Sequence, residues 1–273
     1  MKEFIYSARL DNLATVFAAL ESLVDYTTCS LDKKQTDDNT NIQSNTFKDS
    51  SDVSVAVFFD HEEVSSTSAQ GAGSPVMADS VSRISTALNG GVTNPDFYNA
   101  CIRKSFVLSI DQAHAIHPNY SSKHEAAHAP KINGGVVVKT NSNQRYATNG
   151  ITGFIVRELG HIIDIPVQEF VVRNDCGCGS TIGPAISAKT GIRVVDVGSR
   201  FTIFFIWLHW LSSCIKKNHL TFVFLSSIVS LDLLTIYSAS IVDALMPRGN
   251  RYCRPFLRRG FVYCLLQSFP FYR

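Results

Sequence analysis

Short apolar runs separated by helical patterns are the feature that most constrains how this chain can fold. Five runs have the length and composition of buried strands, namely VSVAVFF (53–59), SFVLSI (105–110), GGVVVK (134–139), VQEFVVR (167–173) and IRVVDVG (192–198). Helical patterns lie between them, including GITGFIVREL and TIGPAISAKTG. Strands that alternate with helices predict an α/β fold in which a mixed, mostly parallel sheet is sandwiched by helices.

The segment before these strands predicts an amphipathic helix. In DNLATVFAALESLVDY (11–26) the apolar residues recur at helical spacing, and Asp11 stands where a carboxylate caps a helix N-terminus. Residues 27–52 are polar, have no period and predict a mobile surface loop.

Acidic residues follow two of the predicted strands, in VFFDHEE and LSIDQAH. Functional residues of such sheets collect beyond the carboxyl ends of the strands. Of the adjacent Glu62 and Glu63, one can bind a metal while the other faces a water, although for the pair alone an exposed acidic turn is the favoured interpretation. Together with Asp11 and Asp111 they form the set of acids that a two-metal site requires. For Asp11 alone, helix capping remains open, as does a strand-end turn for Asp111.

A cationic loop follows the third strand. The segment KTNSNQRYATN contains Lys139, Arg145 and Tyr146. It is either a solvated polar loop or a pocket for an acidic substrate group, because lysine and arginine pair with carboxylates.

Two further motifs point elsewhere. HEAAH (124–128) matches the H-E-x-x-H pattern of zinc proteases, but that pattern requires a helix, and Pro118 and Pro130 lie close on either side. We expect structural or substrate-side roles for its histidines. In NDCGCGSTIGP the C-x-C spacing lacks a second cysteine pair, so Ser180 and Thr181 are expected to cap the following helix instead.

Composition limits the possible partners and compartments. A formal net charge of +2 provides no broad basic field, so no nucleic-acid partner is expected. Seven scattered cysteines and the absence of an amino-terminal signal predict a reducing, cytoplasmic location. After Gly198 the chain becomes apolar and then basic. This tail is either a membrane hairpin or, as we favour, unrelated sequence joined at a splice or gene-model boundary.

Five stretches together resemble the aspartyl aminopeptidases, the M18 family of metallopeptidases. They cover nearly all of residues 3–198, in the order FIYSARLDNLA, FFDHEEVSSTSAQGAGSPVM, RKSFVLSIDQAHAIHPNY, KHEAAHAPKINGGVVVKTNSNQRYATN and VQEFVVRNDCGCGSTIGPAISAKTGIRVVDVG. The resemblance implies a di-zinc exopeptidase (phosphorylase/hydrolase-like) catalytic domain. It also implies a zinc-dependent metalloaminopeptidase, a hydrolase that removes Asp or Glu from peptide amino termini and forms homo-oligomers.

The resemblance also assigns roles to individual residues. Glu62 would be the catalytic base that takes a proton from the bridging water. Asp11 would bridge two Zn²⁺ ions, with Glu63 on one ion and Asp111 on the other. The residues matching substrate contacts are His114, Lys139 and Tyr146.

The chain departs from the family pattern at both ends. The family's first zinc-ligating histidine and its dimerisation insert would precede SARLDN, and a second histidine ligand would follow VVDVG, where His209 is not at the matching offset. We therefore expect residues 1–198 to be an incomplete catalytic domain with weak zinc binding and impaired activity, and residues 199–273 to be a non-family tail. The alternatives are an inactive isoform that assembles with or regulates the full-length enzyme, and a fragment held at a membrane, or in the vacuole, through the tail.

Overall fold

The computed structural model describes residues 8–32, 52–199 and 221–227, with residues 25–32, 199 and 221–227 described through their backbone alone. The helices are α1 (Leu10–Asp32), α2 (Val76–Leu88), α3 (Pro95–Lys104), α4 (Gly150–Ile162) and α5 (Gly183–Thr190). The strands are β1 (Val55–Phe59), β2 (Ser105–Gln112), β3 (Val136–Thr140), β4 (Val167–Val171), β5 (Arg193–Ser199) and β6 (Thr221–Ser227). All five predicted strands are present, and α4 and α5 lie where the helical patterns placed them.

The six strands form one sheet in the order β1-β6-β2-β5-β3-β4. Every neighbouring pair is parallel except β3 and β5, which are antiparallel. The predicted mixed, mostly parallel α/β sheet is therefore confirmed. Its central strands are buried on both faces, which explains why their sequences are continuous apolar runs without alternation.

Two apolar cores cover the two faces of the sheet. In β2, Phe106, Leu108 and Ile110 belong to one core, whereas Val107 belongs to the other. The first core also contains residues of α1 and α4, and the second contains residues of α2, α3 and α5. Successive side chains of a strand point to opposite faces, so one apolar run can supply both cores.

Local sequence explains where two of the helices begin. The Asn94 side chain accepts hydrogen bonds from the N–H groups of the first turn of α3, and Pro95 occupies its first position. At the start of α4, Asn149 and Thr152 form a reciprocal capping box. Both helices therefore begin at residues whose side chains satisfy N–H groups of the first turn.

The first helix differs from its prediction. It continues to Asp32, so residues 27–32 are helical and not part of a loop, while residues 33–51 lie outside the described part of the chain. Asp11 and Asn12 have non-helical dihedral angles, and regular helix follows them. The acid at position 11 therefore lies at a bend that precedes the regular helix.

A strand from the predicted tail lies inside the sheet. Residues 221–227 form β6 between β1 and β2, with Phe224 opposite both Ala56 and Leu108. This strand was not among the predicted ones, because the periodicity of a short apolar run cannot distinguish a buried strand from other apolar segments. The remaining residues of the tail, for which a membrane hairpin was the alternative, include His209 and are outside the described ranges. None of the helices within those ranges is long and apolar enough to cross a membrane.

Candidate active site

Hydrogen bonds join the start of α1 to the end of β2. Asn12 Nδ2 donates to the carbonyl oxygen of Ile110 over 3.1 Å, and Gln112 Nε2 donates to Thr15 Oγ1 over 2.8 Å. These contacts join residues about a hundred positions apart in the chain. They bring Asp11, which precedes Asn12, next to Asp111, which follows Ile110.

The turn after β1 presents the two adjacent glutamates. Glu62 and Glu63 begin a short 3-10 turn, and His61 before them has a left-handed φ of 61°. His61 Nδ1 lies 2.6 Å from Ser68 Oγ, so this ring is held within its own loop. The loop is compact because a Cβ at Gly71 would lie 2.3 Å from the backbone oxygen of Ser66.

The acids influence one another strongly. Partial burial, then the charge and hydrogen bond of Asp111, then the charge of Glu63 raise the pKa of Asp11 to about 6, against the lowering effect of Lys139. Burial, followed by the charges of Asp111 and Glu63, raises the pKa of Glu62 to about 7. The structure therefore brings all four predicted acids into one cluster that contains more negative than positive charge.

Lys139, at the end of β3, is the cation that faces this cluster. Its side chain is buried, and Nζ lies 3.1 Å from Asp111 Oδ2 and donates to the carbonyl oxygen of Gln112 over 2.6 Å. Nζ also lies 5.6 Å from the centroid of the Tyr146 ring. A Cβ at Gly198 would lie 2.9 Å from Lys139 Cε, so glycine leaves room for the lysine side chain.

An aromatic residue that sequence reasoning missed links the predicted substrate contacts. The Phe170 ring on β4 lies 6.3 Å from both the exposed His114 ring and the buried Tyr146 ring, measured between centroids. Burial, followed by the hydrogen bond with Cys178, raises the pKa of Tyr146, so its hydroxyl stays protonated. Phe170 stood within an apolar strand, and nothing in its local sequence separated it from a packing residue.

The remaining motifs form other contacts. Residues 124–128 are not helical, and His128 Nδ1 lies 2.6 Å from Glu125 Oε2, so HEAAH lacks the helix that the H-E-x-x-H zinc motif requires. The predicted helix cap was wrong, because the residue at the N-cap of α5 is Ile182 and no side chain caps it. Instead Ser180 Oγ donates to the carbonyl oxygen of Arg145, and Thr181 donates to a buried carboxylate described below.

Whether the cluster suits a metal can be judged from its donors. The side chains of Asp11 and Asp111 interact directly, and this interaction raises the pKa of Asp11. A divalent cation bound between them would neutralise such crowded negative charge. Carboxylate oxygens are ligands of Zn²⁺, although carboxylate-only sites favour harder ions. Among the described residues, no three histidine, cysteine or acidic side chains are gathered closely enough to hold an ion. The cluster fits a metal in charge and in donor type, and it supplies carboxylates only.

Comparison with protein families identifies the class of protein to which this site belongs. A family model described as "Aminopeptidase I zinc metalloprotease (M18)" matches residues 1–204, well over half of the chain. The chain belongs to the M18 family. The predicted resemblance is therefore confirmed, and zinc is the metal that the family's description names.

Curated M18 relatives are similar over the same part of the chain. A "Probable aspartyl aminopeptidase" of Ricinus communis is 48% identical over 198 residues, which are 72% of this chain and 37% of the relative. "Aspartyl aminopeptidase 4" of Saccharomyces cerevisiae is 41% identical over 202 residues, which are 72% of this chain and 38% of the relative. The M18 chain thus spans less than two fifths of the length of these relatives.

Solved M18 structures share the fold. A chain in the "Cryo-EM structure of the Ape4 and Nbr1 complex" has a TM-score of 0.60 and 34% identity over 77% of this chain and 39% of its own length. The "Structure of S. cerevesiae mApe1 dodecamer" has a TM-score of 0.52 and 21% identity over 77% of this chain and 47% of its own, and it supports the fold alone.

Proposed function

We propose that this M18 chain carries the carboxylate and substrate-facing parts of a zinc-dependent aminopeptidase that removes acidic residues from peptide amino termini. One observation carries the proposal. Acids from α1, from the turn after β1 and from the end of β2 meet beside a buried lysine from β3. Such a cluster beyond the ends of parallel strands is where α/β enzymes bind their substrates. The names of the relatives support the substrate class.

The four acids divide between metal binding and proton transfer. Asp11, Glu63 and Asp111 would hold the zinc ions, and Glu62 would be the general base. Zinc in such a site supplies Lewis acidity, which makes a water molecule more acidic and polarises a carbonyl oxygen. Glu62 accepts a proton from the attacking water and returns it to the leaving amine, a role for which a side chain beside the metal ligands is well placed.

Lys139, Tyr146 and His114 would form the side of the site that faces the substrate; we refer to Lys139 and Tyr146 as the substrate wall. Lys139 is a buried ammonium group, and Tyr146 keeps its hydroxyl protonated, so both can donate hydrogen bonds to a carboxylate. Two of the Lys139 N–H groups already have acceptors in Asp111 and Gln112, and a neutral substrate side chain would offer no acceptor to the third or to the Tyr146 hydroxyl, which is costly. This arrangement favours an acidic residue over a neutral one.

Hydrolysis of aspartyl p-nitroanilide by the full chain with added Zn²⁺ tests the base. We expect Glu62→Gln to remove turnover, while the matched control Glu158→Gln, on the exposed face of α4, leaves it unchanged. The described ligands are carboxylates only, so we expect turnover by the unmodified chain to be weak. Turnover by Glu62→Gln equal to that of the control would contradict the assignment.

Zinc binding provides a test that does not depend on turnover. Calorimetric titration of the full chain with Zn²⁺ is expected to give weaker binding for Asp111→Asn, by about tenfold or more, since a charged ligand is lost. The exposed Asp79→Asn serves as the control. Equal affinities for the two variants would exclude Asp111 from the ligand set.

We also infer that the chain assembles with copies of itself or with longer M18 subunits. In an assembly with longer subunits it would be an inactive subunit that regulates the full-length enzyme. On α4, Ile151, Phe154 and Ile162 are 69%, 54% and 61% exposed and recur on one side of the helix. Light scattering after chromatography tests this inference. We expect an oligomer that Phe154→Ser weakens, and a monomer at all concentrations, also when mixed with a longer relative, would contradict it.

We further propose that residues 1–198 are the family's catalytic part, with β6 as a strand contributed by the following tail. The family match ends at residue 204, whereas β6 pairs along its length with β1 and β2. On this proposal the tail completes the sheet that carries the site.

A further inference from the structure

Asp196, in the middle of β5, is a buried acid for which the proposed reaction has no use. Its exposed fraction is 0%, and it lies directly opposite Ser109 in the register of β5 with β2. Burying a carboxylate costs several kcal/mol unless hydrogen bonds compensate for the lost water. The hydrogen bonds of Asp196 therefore indicate what the acid holds in place.

Three donors meet at this carboxylate. Oδ1 accepts hydrogen bonds from Ser109 Oγ and Thr181 Oγ1, each over 2.6 Å. Oδ2 accepts a hydrogen bond from the backbone N–H of Ala147 over 2.6 Å. The donors come from β2, from the turn before α5 and from the loop after β3, so one side chain joins three separate parts of the chain.

The backbone of Asp196 is tied to the same loop. The Asp196 N–H donates to Thr148 Oγ1 over 2.9 Å, and Thr148 Oγ1 lies 3.3 Å from the Asp196 carbonyl oxygen. The antiparallel pairing of β5 with β3 involves only Val197 and Gly198 of β5. Thr148 thus occupies the edge of β5 where pairing with β3 has stopped.

The loop tied down in this way carries the substrate wall. Tyr146 immediately precedes Ala147, and its ring lies below Lys139 Nζ at 5.6 Å. On the other side, Cys178 Sγ lies 3.3 Å from the Tyr146 hydroxyl, and the Thr181 N–H donates to the carbonyl oxygen of Arg145 over 3.3 Å. Both neighbours of Tyr146 along the chain are therefore connected to Asp196. Ala147 bonds the carboxylate directly, and Arg145 is connected to it through Thr181.

The space around the carboxylate is closed. A Cβ at Gly183, at the start of α5, would lie 2.2 Å from Asp196 Oδ2. The helix backbone therefore packs directly on the acid, and the carboxylate has no room to turn toward other donors.

We propose that Asp196 is a positioning residue that holds Tyr146, and through it the substrate wall, by accepting the Ala147 N–H. The identity of the substrate in this inference rests on the proposed function. The two hydroxyl donors can rotate to other acceptors, whereas a backbone N–H cannot. The bond to Ala147 is therefore the one that a replacement must preserve.

This requirement distinguishes two substitutions. Asparagine in Asp196→Asn can accept the Ala147 N–H through its oxygen and donate to the two hydroxyls through its nitrogen, because serine and threonine hydroxyls both donate and accept. Alanine in Asp196→Ala can do neither. Ser109→Ala is the matched control, since it removes one bond to the same carboxylate without touching the loop.

Amide hydrogen exchange of Ala147, measured by NMR on the full chain, is the deciding readout. We expect Asp196→Ala to speed exchange about tenfold or more, as loss of a buried hydrogen bond predicts, and Asp196→Asn and Ser109→Ala to stay within about threefold of the unmodified chain. Unchanged exchange in Asp196→Ala would overturn the proposal. So would equal acceleration in the alanine and asparagine variants, because it would mean that charge and not the bond matters.

If Asp196→Ala does not fold, the double variant Ser109→Ala/Thr181→Val replaces it. This variant leaves the carboxylate with only the Ala147 bond, and we expect exchange of the Ala147 amide to stay slow while exchange of the amide at position 181 accelerates. Faster exchange of Ala147, equal to that of the amide at position 181, would show that the hydroxyls hold the loop and would overturn the proposal.

Binding of L-aspartate, followed through the ring resonances of Tyr146, connects the loop to the substrate. We expect affinity to fall about tenfold in Asp196→Ala and to be restored in Asp196→Asn, in proportion to the exchange result. If the unmodified chain does not bind L-aspartate, the acidic-substrate part of the proposed function fails, while the exchange measurement still decides the role of Asp196.

Discussion

Replacing the buried lysine of the site tests whether it holds the acids together. In Lys139→Met the side chain keeps a similar length and loses its charge. The change removes the 3.1 Å contact with Asp111 and the 2.6 Å hydrogen bond to the Gln112 carbonyl. It also removes a positive charge that lowers the pKa of both Asp11 and Glu62.

The size of the effect follows from burial. Removing one partner of a buried ion pair costs about 3–5 kcal/mol because it leaves the other charge uncompensated. The Lys139 side chain is 4% exposed but that of Asp111 is 20% exposed, so water can compensate in part. We therefore expect the free energy of unfolding to fall by about 3 kcal/mol at pH 8, or roughly 6–12 °C in Tm for a domain of this size.

Urea denaturation with EDTA present, at pH 8 and pH 5, measures this change. The cost should be smaller at pH 5, where Asp11 and Glu62 hold protons and repel Asp111 less. Lys131→Met, at an exposed position, is the control, and Asp111→Asn added to Lys139→Met should recover most of the loss. Equal costs for Lys139→Met and Lys131→Met at pH 8 would refute the reasoning.

Three further predictions concern the sheet and the acids. Gly198→Ala would place a Cβ 2.4 Å from a neighbouring Cβ, so we expect a loss of about 1–3 kcal/mol in urea denaturation, against no loss for Gly177→Ala, where the space is open. Phe224→Pro removes a backbone donor from the centre of the sheet and should cost about 3 kcal/mol or more, whereas Phe224→Leu should cost much less; equal costs would mean that β6 does not pair. Without metal, the folded chain holds protons on Asp11 and Glu62 that the unfolded chain has released, so stability should fall as pH rises from about 4 to 7. Glu62→Gln should flatten that profile, and a profile that rises over this range would contradict the raised pKa values.

Local sequence was sufficient for five of the strands and for the acids that follow them. Buried strands of a parallel sheet are continuous apolar runs, and amphipathic helices repeat every 3.6 residues, so both can be read within a short window. Acids at strand ends can be assigned to one edge of the sheet because parallel strands end together. The positions of Glu62, Glu63 and Asp111 were predictable for that reason.

Contacts between residues distant in the chain could not be predicted from such short windows of sequence. The pairing of β6 between β1 and β2, the ring of Phe170 beside Tyr146 and the bonds of Thr181 to Asp196 all join residues far apart in the chain. Thr181 was predicted to cap a helix because that is the local use of a threonine before a helix, whereas its hydroxyl bonds a buried acid instead. A side-chain donor is satisfied by whichever acceptor the fold brings near it.

The sequence by itself determined that the chain forms a helix-covered, mostly parallel sheet and that acids follow its strands, because apolar spacing and strand direction are local properties. The tertiary structure decided which charges meet. It placed Lys139 against Asp111, raised the pKa values of Asp11 and Glu62, and tied the Tyr146 loop to Asp196. Electrostatic interactions and hydrogen bonds depend on distance and burial, and both exist only once the strands have packed.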